Sequence, residues 1–510
     1  MSFSSSFNSN NPSLDYSNLE VNNPQTLLDI LQQLHQLVLV EGESIFEQWR
    51  DRVQRQDFLP SARNLAYYLA LRRHDLRLLQ AALMPWGLSS LGRIESRVIA
   101  NLEAAIATLG AVCRVDAATL PDRPAVSKFF EGRDLLDRRT NDLFGVAQHQ
   151  RRVRIMVTLS TEAATNYSFV RDLLSRGTDC VRINCAHDNQ AIWWGMIQNV
   201  RRASTEIDRD CKILMDLGGP KPRLGVAIAP SGKQRITRGE NLLLTRDLPT
   251  TVGSSCFQAQ CSLPSILDCL AVGDRVWIDD GKIGAEVEAI ADGGVMLRIT
   301  HADIGGSKLR PDKGLNFPDT DLQLSSLTAK DLEDLDFVAA HADIIGYSFV
   351  RRLTDIELLQ TELGQRLAPD TPLPAIVVKI ETPQAVLHLP ELIVQAAGRQ
   401  PLGIMVARGD LAVEIGYQRL AEIQEEILWL SEAAHIPVIW ATQVLEHLVK
   451  KGIPSRAEVT DAAMAERAEC VMLNKGPFIA ESVSILGNVL ERMEAHQLKK
   501  TPQLRALHSW

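Results

Sequence analysis

Lys379, Glu381 and Asp410 are the side chains whose types and spacing could do chemistry in this sequence. Lys379 and Glu381 stand two apart in AIVVKIETPQAV, Ala375 to Val386, so on an extended chain both project to one side. Asp410 follows Ala407, Arg408 and Gly409 in GIMVARGDLAVEI, Gly403 to Ile415, where an apolar run turns helical. Two carboxylates and one ammonium then converge. Carboxylates are hard oxygen ligands suited to Mg²⁺ or Mn²⁺, which leave positions for water and substrate oxygens. A lysine beside such a metal places positive charge where a phosphoryl or enolate oxygen develops negative charge. An isolated K-x-E is more often an ion pair, and an Asp at a helix start more often a cap. Here both apolar runs end abruptly in charge, as parallel strands do when their carboxyl ends open onto a site.

The elements that must carry these residues recur along the chain. From Arg152 onward, short apolar runs alternate with amphipathic helical segments: VRIMVTL (153–159), CVRIN (180–184), KILMD (212–216), DIIGYSF (343–349), AIVVKI (375–380), GIMVAR (403–408), PVIWAT (437–442) and CVMLN (470–474). Such a β-then-α series predicts an α/β fold, a closed (β/α)₈ TIM barrel with its site at the carboxyl ends of the strands. Between the third and fourth runs the pattern shifts to period two, as in IGAEVEAI and VMLRI, with GE, GD, DDG and DGG turns. A β-rich lid domain is therefore expected at 224–312, hung from a loop at the catalytic mouth and able to exclude water. The barrel would occupy 148–223 and 313–510. Residues 26–147 read as an amino-terminal helical domain, and the Ser- and Asn-rich 1–25 as a disordered tail. In the helical domain, Leu65, Leu69, Leu76, Leu78 and Leu79 suggest one apolar stripe, and Ser90 with Arg93 and Glu95 a helix start. Arg72, Arg73, His74 and Arg77 cluster beside that stripe; a solvated face is the plainer reading, an anion or another part of the chain the alternative.

The other strand ends add polar groups at corresponding positions: Arg182, Asn184 and His187 after the second, and Asp216, Gly218, Gly219, Lys221 and Arg223 after the third. Lys313 closes the lid, Ser348 and Arg351 end the fourth strand, Thr442 and Gln443 the seventh, Asn474 and Lys475 the eighth. Arginines suit bidentate phosphate recognition, and paired glycines allow close backbone approach. The helix amino terminus after Gly409 offers free N–H groups for a substrate carboxylate. These groups together describe a site for a small phosphorylated acid.

Composition narrows the partners. The 510 residues carry 54 basic and 63 acidic side chains, net −9, which argues against nucleic acid or an anionic membrane as main partner. Eight cysteines without metal-ligand spacing read as reduced thiols of a cytoplasmic protein. No apolar run is expected to approach the ~18 residues of a membrane span. The first basic residue is Arg50, so the amino end is expected to be unprocessed.

At this level of detail the chain resembles the pyruvate kinase family from about Arg152 to Ala495. The resemblance rests on RIN-x-x-H, MD-x-x-GP-x-x-R, WIDDG, KGLNFP, SFVRR, VKIET, IMVARGDLAVEI, WATQVLE and SRAEVTD, in the family's order. It implies a (β/α)₈ barrel with a β-rich lid inserted after the third strand. It also implies phosphoryl transfer from phosphoenolpyruvate to ADP, giving pyruvate and ATP. By the same resemblance Lys379 stabilises the phosphoryl group in flight, with Glu381 and Asp410 holding Mg²⁺ or Mn²⁺. Gly409, Asp410 and Thr442 bind the carboxylate, Thr442 helps protonate the enolate, and Ser348 lies in the substrate site. Arg182, His187, Arg223 and Lys313 address phosphates and nucleotide. The family usually binds K⁺ through an Asn, a Ser, an Asp and a Thr. Asn184 and Asp216 remain, but Ala186 and Leu217 stand at the other two positions and Lys221 replaces a Glu. An ammonium is a fixed point charge, so K⁺ is expected not to be required. Gly218 in place of a lysine, and LNKGP in place of a Ser-Gly-Glu-Thr loop, depart from the family. The chain ends soon after the eighth unit, so the family's carboxyl-terminal domain, and control by fructose bisphosphate there, are not expected. Two other readings remain open: a metal-dependent pyruvate-enolate lyase or aldolase, and a regulatory homologue with weakened turnover. A homo-oligomer is an expectation only.

Overall fold

Short runs rich in Val, Ile, Leu and Met cannot hold an amphipathic helix, and β-branching favours the extended chain. In the structure, a computed structural model, all eight such runs are strands of one closed parallel barrel. Residues 22–147, 151–230, 232–249, 256–291, 293–368 and 371–503 are described; most of the expected tail and the boundary at 148 lie outside them. The chain divides into two compact units. One comprises Met1–Thr140, Ile393–Arg399 and Trp429–Ile436; the other Asn141–Leu392, Gln400–Leu428 and Pro437–Trp510.

In the first unit, Asn23 accepts the Gln25 N–H at 3.0 Å and Pro24 opens α1, Pro24–Trp49. There follow α2 (Leu59–Arg72), α3 (Arg77–Leu83), α4 (Val98–Cys113) and α5 (Val126–Phe144). The single leucine stripe does not hold. The helix breaks between Arg72 and Arg77 and its phase resets, so Leu65 and Leu79 are buried while Leu78 is 59% exposed. Ser90–Arg93 and Glu95–Arg97 are 3₁₀ turns, and α4 begins only at Val98. The arginines of the basic cluster are paired within the unit. Arg72 donates to the Tyr68 hydroxyl at 2.6 Å and lies over the Trp429 ring, Arg73 meets Glu41 at 3.1 Å, and Arg77 meets Asp75 at 2.9 Å. One sequence expectation is corrected: Glu95–Cys113 is a 19-residue helical stretch long and apolar enough, by those two measures, to cross a membrane. Its Val98, Leu102, Ile106 and Leu109 are fully buried, and α4 packs on α1 and α2.

The second unit holds the barrel and the lid. Barrel strands are β1 (Arg154–Thr158), β2 (Cys180–Asn184), β3 (Lys212–Asp216), β11 (Ile344–Tyr347), β12 (Ala375–Ile380), β13 (Leu402–Ala407), β14 (Val438–Ala441) and β15 (Cys470–Leu473). They close in the order β1-β15-β14-β13-β12-β11-β3-β2, with Asn184 paired to Asp216 and Lys379 to Met405. Leu143 and Phe144 pack in one core cluster with Leu214, Ile344, Val377, Met405, Ile439 and Cys470 of the barrel strands. Between β3 and β11 lie β4 (Leu224–Ile228), β5 (Asn241–Thr245), β6 (Phe257–Cys261), β7 (Arg275–Ile278), β8 (Ile283–Ala291), β9 (Gly294–His301) and β10 (Leu315–Asn316). These form one sheet of order β10-β7-β8-β9-β5-β6-β4 over its own core. The lid sheet thus runs past residue 312 to Asn316. All eight cysteines are free thiols.

Two outcomes follow from this packing. Phe144→Ala should lower the unfolding free energy by about 3–5 kcal/mol, read by denaturant titration, because a fully buried ring leaves a cavity. Burial in the first unit pushes the His435 imidazole down to about 4. It is neutral when folded and titrates near its ordinary value when unfolded, so its contribution should be lost as pH falls from about 6.5 to about 4. A His435→Gln chain melted across that range should show a flatter dependence than wild type.

Candidate active site

β12 ends at Ile380, and the alternation of side chains puts Lys379 and Glu381 together: Lys379 Nζ lies 3.1 Å from Glu381 Oε1. The same ammonium donates to Ser348 Oγ at 2.7 Å and lies 3.3 Å from Asp216 Oδ2. Ser348 passes the chain on, donating to the Leu217 carbonyl at 2.8 Å. Asp216 accepts from Arg182 Nε at 2.7 Å, and Arg182 Nη1 reaches Thr158 Oγ1 at 3.2 Å. Five strand ends therefore share one buried polar network.

Electrostatics follow from that burial. For Lys379, burial alone would disfavour the charged form, but Asp216 and Glu381 outweigh it and hold the ammonium above its ordinary value. Asp216 is likewise penalised by burial, yet Lys379 and Arg182 keep it below the usual carboxylate range. Glu381 is the exception. Burial pushes its carboxyl up, Lys379 opposes, and the neighbouring Asp410 and Asp216 carboxylates add to the rise. A carboxyl whose proton affinity is raised by neighbouring carboxylates fits a cation beside it. Among the described residues no group of three or more His, Cys, Asp or Glu gathers as a metal site. A divalent ion here would take Glu381 and Asp410 and complete its shell with water and substrate oxygens, which suits Mg²⁺ or Mn²⁺.

Backbone at the strand ends is strained where the site is built. Phe349 (φ 56°), Thr442 (φ 65°), Gln443 (φ 59°) and Leu445 (φ 48°) all lie in the left-handed region. At Phe349 the turn aims its N–H at Glu381 Oε2, 2.7 Å away. At Thr442 the turn brings Oγ1 to within 2.8 Å of the Gly409 N–H. Gly409 is therefore not the free donor that the sequence suggests: it is the second residue of the helix Arg408–Ile415, and the Thr442 hydroxyl accepts its N–H. Gly218 and Gly219 donate to Asp331 Oδ1 at 3.0 and 3.3 Å, so their N–H groups too are satisfied within the protein.

The remaining candidates fall into two groups. Lys221 Nζ meets Asp410 Oδ1 at 2.5 Å, rather than the Asn184–Asp216 pair; the Asn184 side chain accepts from the Ala186 N–H at 3.2 Å. Gly314 makes room for the lysine, since a Cβ there would come within 2.7 Å of its Cε. His187 is held below its ordinary value by burial and by Lys475 and Arg223, which marks a basic cluster beside the second and eighth strand ends. Arg223 donates to the Asp312 carbonyl at 2.9 Å, and Lys313 pairs with Asp279 at 2.9 Å in the WIDDG turn. These lid cations make no hydrogen bond or ion pair to the Lys379 network.

With this geometry in view, the likeness to known proteins is direct. The family model "Pyruvate kinase, barrel domain" matches residues 150–483. The chain belongs to the pyruvate kinase family. A pyruvate kinase of Methylorubrum extorquens is 33% identical over 69% of this chain and 70% of its own length. Pyruvate kinase 2 of a Synechocystis strain is 31% identical over 68% of this chain, and the match spans 58% of that relative, less than two thirds. A pyruvate kinase crystal structure from Cryptosporidium parvum is 26% identical with a TM-score of 0.60, covering 70% of this chain and 72% of that one. The enzyme class is that of a pyruvate kinase, a phosphotransferase.

Sequence reasoning missed three residues of this pyruvate kinase site. Thr158 anchors Arg182. Glu414, one helical turn beyond Asp410, is pushed by burial up to about 7 and accepts from Asn316 of the lid at 2.8 Å. Arg408 donates to the carbonyls of Ala441 at 3.1 Å and Thr442 at 2.7 Å while its fork grips Asp461. The i, i+4 spacing of Asp410 and Glu414 was a usable signal; the reach of Arg408 across 53 residues to Asp461 was not. Arg408→Met should cost about 3 kcal/mol or more of stability, since charged hydrogen bonds contribute about 1.5–3 kcal/mol each. It should also lower kcat more than it raises KM, because the Thr442 turn loses its anchor.

Proposed function

We propose that this enzyme transfers the phosphoryl group of phosphoenolpyruvate to ADP, with Mg²⁺ or Mn²⁺ bound and without a need for K⁺. What carries the reading is the convergence of the Lys379 ammonium on Asp216, Glu381 and Ser348, with Arg182 one hydrogen bond away and the Asp410 carboxylate near enough to push the Glu381 carboxyl up. Transfer of a phosphoryl group needs positioning and positive charge more than covalent chemistry, and this arrangement supplies both. When bound, the divalent ion would add charge neutralisation at the phosphoryl oxygens.

The protein's own groups would divide the remaining work. Lys379 holds a fixed positive charge where the phosphoryl group crosses, and the Arg182 guanidinium, braced by Asp216 and Thr158, meets its oxygens. Thr442 Oγ1 already accepts from Gly409, which leaves its hydrogen free to point toward an enolate carbon. Substrate carboxylate would then take the Asp410 N–H. His187, Arg223 and Lys475 form the basic cluster suited to nucleotide phosphates, with Lys313 reaching from the lid. Lys221 supports K⁺ independence: its ammonium sits on Asp410, while Leu217 is buried and Asn184 is turned into its own loop. Free cysteines fit a cytoplasmic enzyme.

A coupled assay of pyruvate formation from phosphoenolpyruvate, ADP and Mg²⁺ tests this. Lys379→Ala should lower kcat by about a hundredfold to a thousandfold, the effect of losing a preorganised donor. Wild-type rate should change less than twofold on adding K⁺; strong K⁺ stimulation would refute the role given to Lys221. No turnover with phosphoenolpyruvate still bound would move the enzyme to the regulatory reading.

A further inference from the structure

The helical unit contains a cleft of about 800 Å³ that the barrel chemistry does not use. It opens where α1 ends, at Phe46 and Arg50, and where α2, α4 and α5 begin. Leu59, Pro60, Ile99, Ala100, Pro124 and Leu135 give it apolar walls. Its closed end is tight: a Cβ on Gly132 would collide with the Ser96 carbonyl and with His435, which belongs to the same unit. Small-molecule sites span about 300–1,000 Å³, so the volume suits a metabolite-sized ligand rather than a bare ion.

Charge in the cleft is unbalanced. Arg50, Arg63, Arg97, Arg123 and Lys128 line it against only Glu103, Asp122 and Glu131. Three of the cations are already paired, Arg50 with Glu47 at 2.9 Å, Arg63 with Glu43 at 3.2 Å and Lys128 with Glu131 at 3.0 Å. Arg97 and Arg123 have no ion pair among the described residues. Arg97 stacks on the rings of Phe129 and Phe130 at 4.5 and 5.6 Å, and its Nε is buried without a hydrogen-bond partner. Burial disfavours its charge; Glu432 and Glu95 oppose that effect, while Arg133 and Arg93 add to it. A desolvated guanidinium held rigid by two rings beside an open cavity is a donor awaiting an oxyanion.

We propose that this cleft binds a small organic anion, one phosphate, sulfonate or carboxylate group on an apolar or planar body. The anionic group sits against Arg97 and Arg123, and the body lies on Ile99, Ala100 and Leu135. This goes beyond the phosphoryl-transfer reading and does not depend on it.

The full-length protein can be titrated with 1-anilinonaphthalene-8-sulfonate, which has this chemistry, and followed by fluorescence with phosphoenolpyruvate and ADP saturating and divalent metal chelated, so that neither substrate is consumed. One saturable site is expected. N-phenyl-1-naphthylamine, the same rings without the sulfonate, should bind at least tenfold more weakly. Arg97→Met should weaken the sulfonate tenfold or more, the exposed Arg123→Gln about threefold, and Ala100→Trp should fill the cleft and abolish binding. Circular dichroism and melting establish that each variant folds; if Arg97→Met does not, Arg123→Gln and Ala100→Trp decide. Absence of a saturable site, binding that survives Ala100→Trp, equal binding of the neutral naphthylamine, or no loss in either arginine variant would overturn the proposal.

Discussion

A buried ammonium is the constraint from which the barrel site takes its form. Lys379 is only 9% exposed, and leaving its charge uncompensated at such depth would cost several kcal/mol. Asp216, Glu381 and Ser348 must therefore surround it, and each comes from a different strand end. Once Asp216 is committed, it needs a further donor for its remaining lone pairs, and Arg182 supplies it. The network thus fixes the register of β2, β3, β11 and β12 as much as those strands fix the network.

Strain at the rim has the same origin. A β-branched residue at φ 65° is costly, yet Thr442 is held there by Arg408, which grips its carbonyl and Asp461 together. The hydroxyl gains a fixed position over Gly409 in return. Phe349 repeats the device on the other side, where a left-handed turn aims one N–H at Glu381. Rigid strands position the charges; the turns after them position the hydrogens.

Lys221 shows how one substitution alters such a site. Its ammonium lies against Asp410, where it compensates one of two neighbouring carboxylates, and Gly314 at the base of the lid leaves the space its stem needs. One turn further along the same helix, Glu414 takes a hydrogen bond from Asn316, so the lid meets the helix of Asp410 through an amide and a carboxyl. The helical unit differs: of the five cations that line its apolar-walled cleft, Arg50, Arg63 and Lys128 are ion-paired and Arg97 and Arg123 are not.

The sequence by itself determined which segments are strands, because apolar runs of four to six residues ending in polar or charged residues leave little alternative in a repeated unit. It also determined that Lys379 and Glu381 face one way, since strand alternation is local, and that a period-two insertion follows the third strand. Tertiary structure alone decided what those groups touch. Asp331 taking the Gly218 and Gly219 amides, Thr442 taking the Gly409 amide and Lys221 choosing Asp410 all join residues 33 to 189 positions apart. Nor could periodicity foresee that the helix would break between Arg72 and Arg77, exposing Leu78, or that a half-buried Arg97 would stack on two rings. Local propensity and alternation act over a few residues, whereas hydrogen-bond satisfaction is settled by whichever partner the packed fold brings within 3 Å.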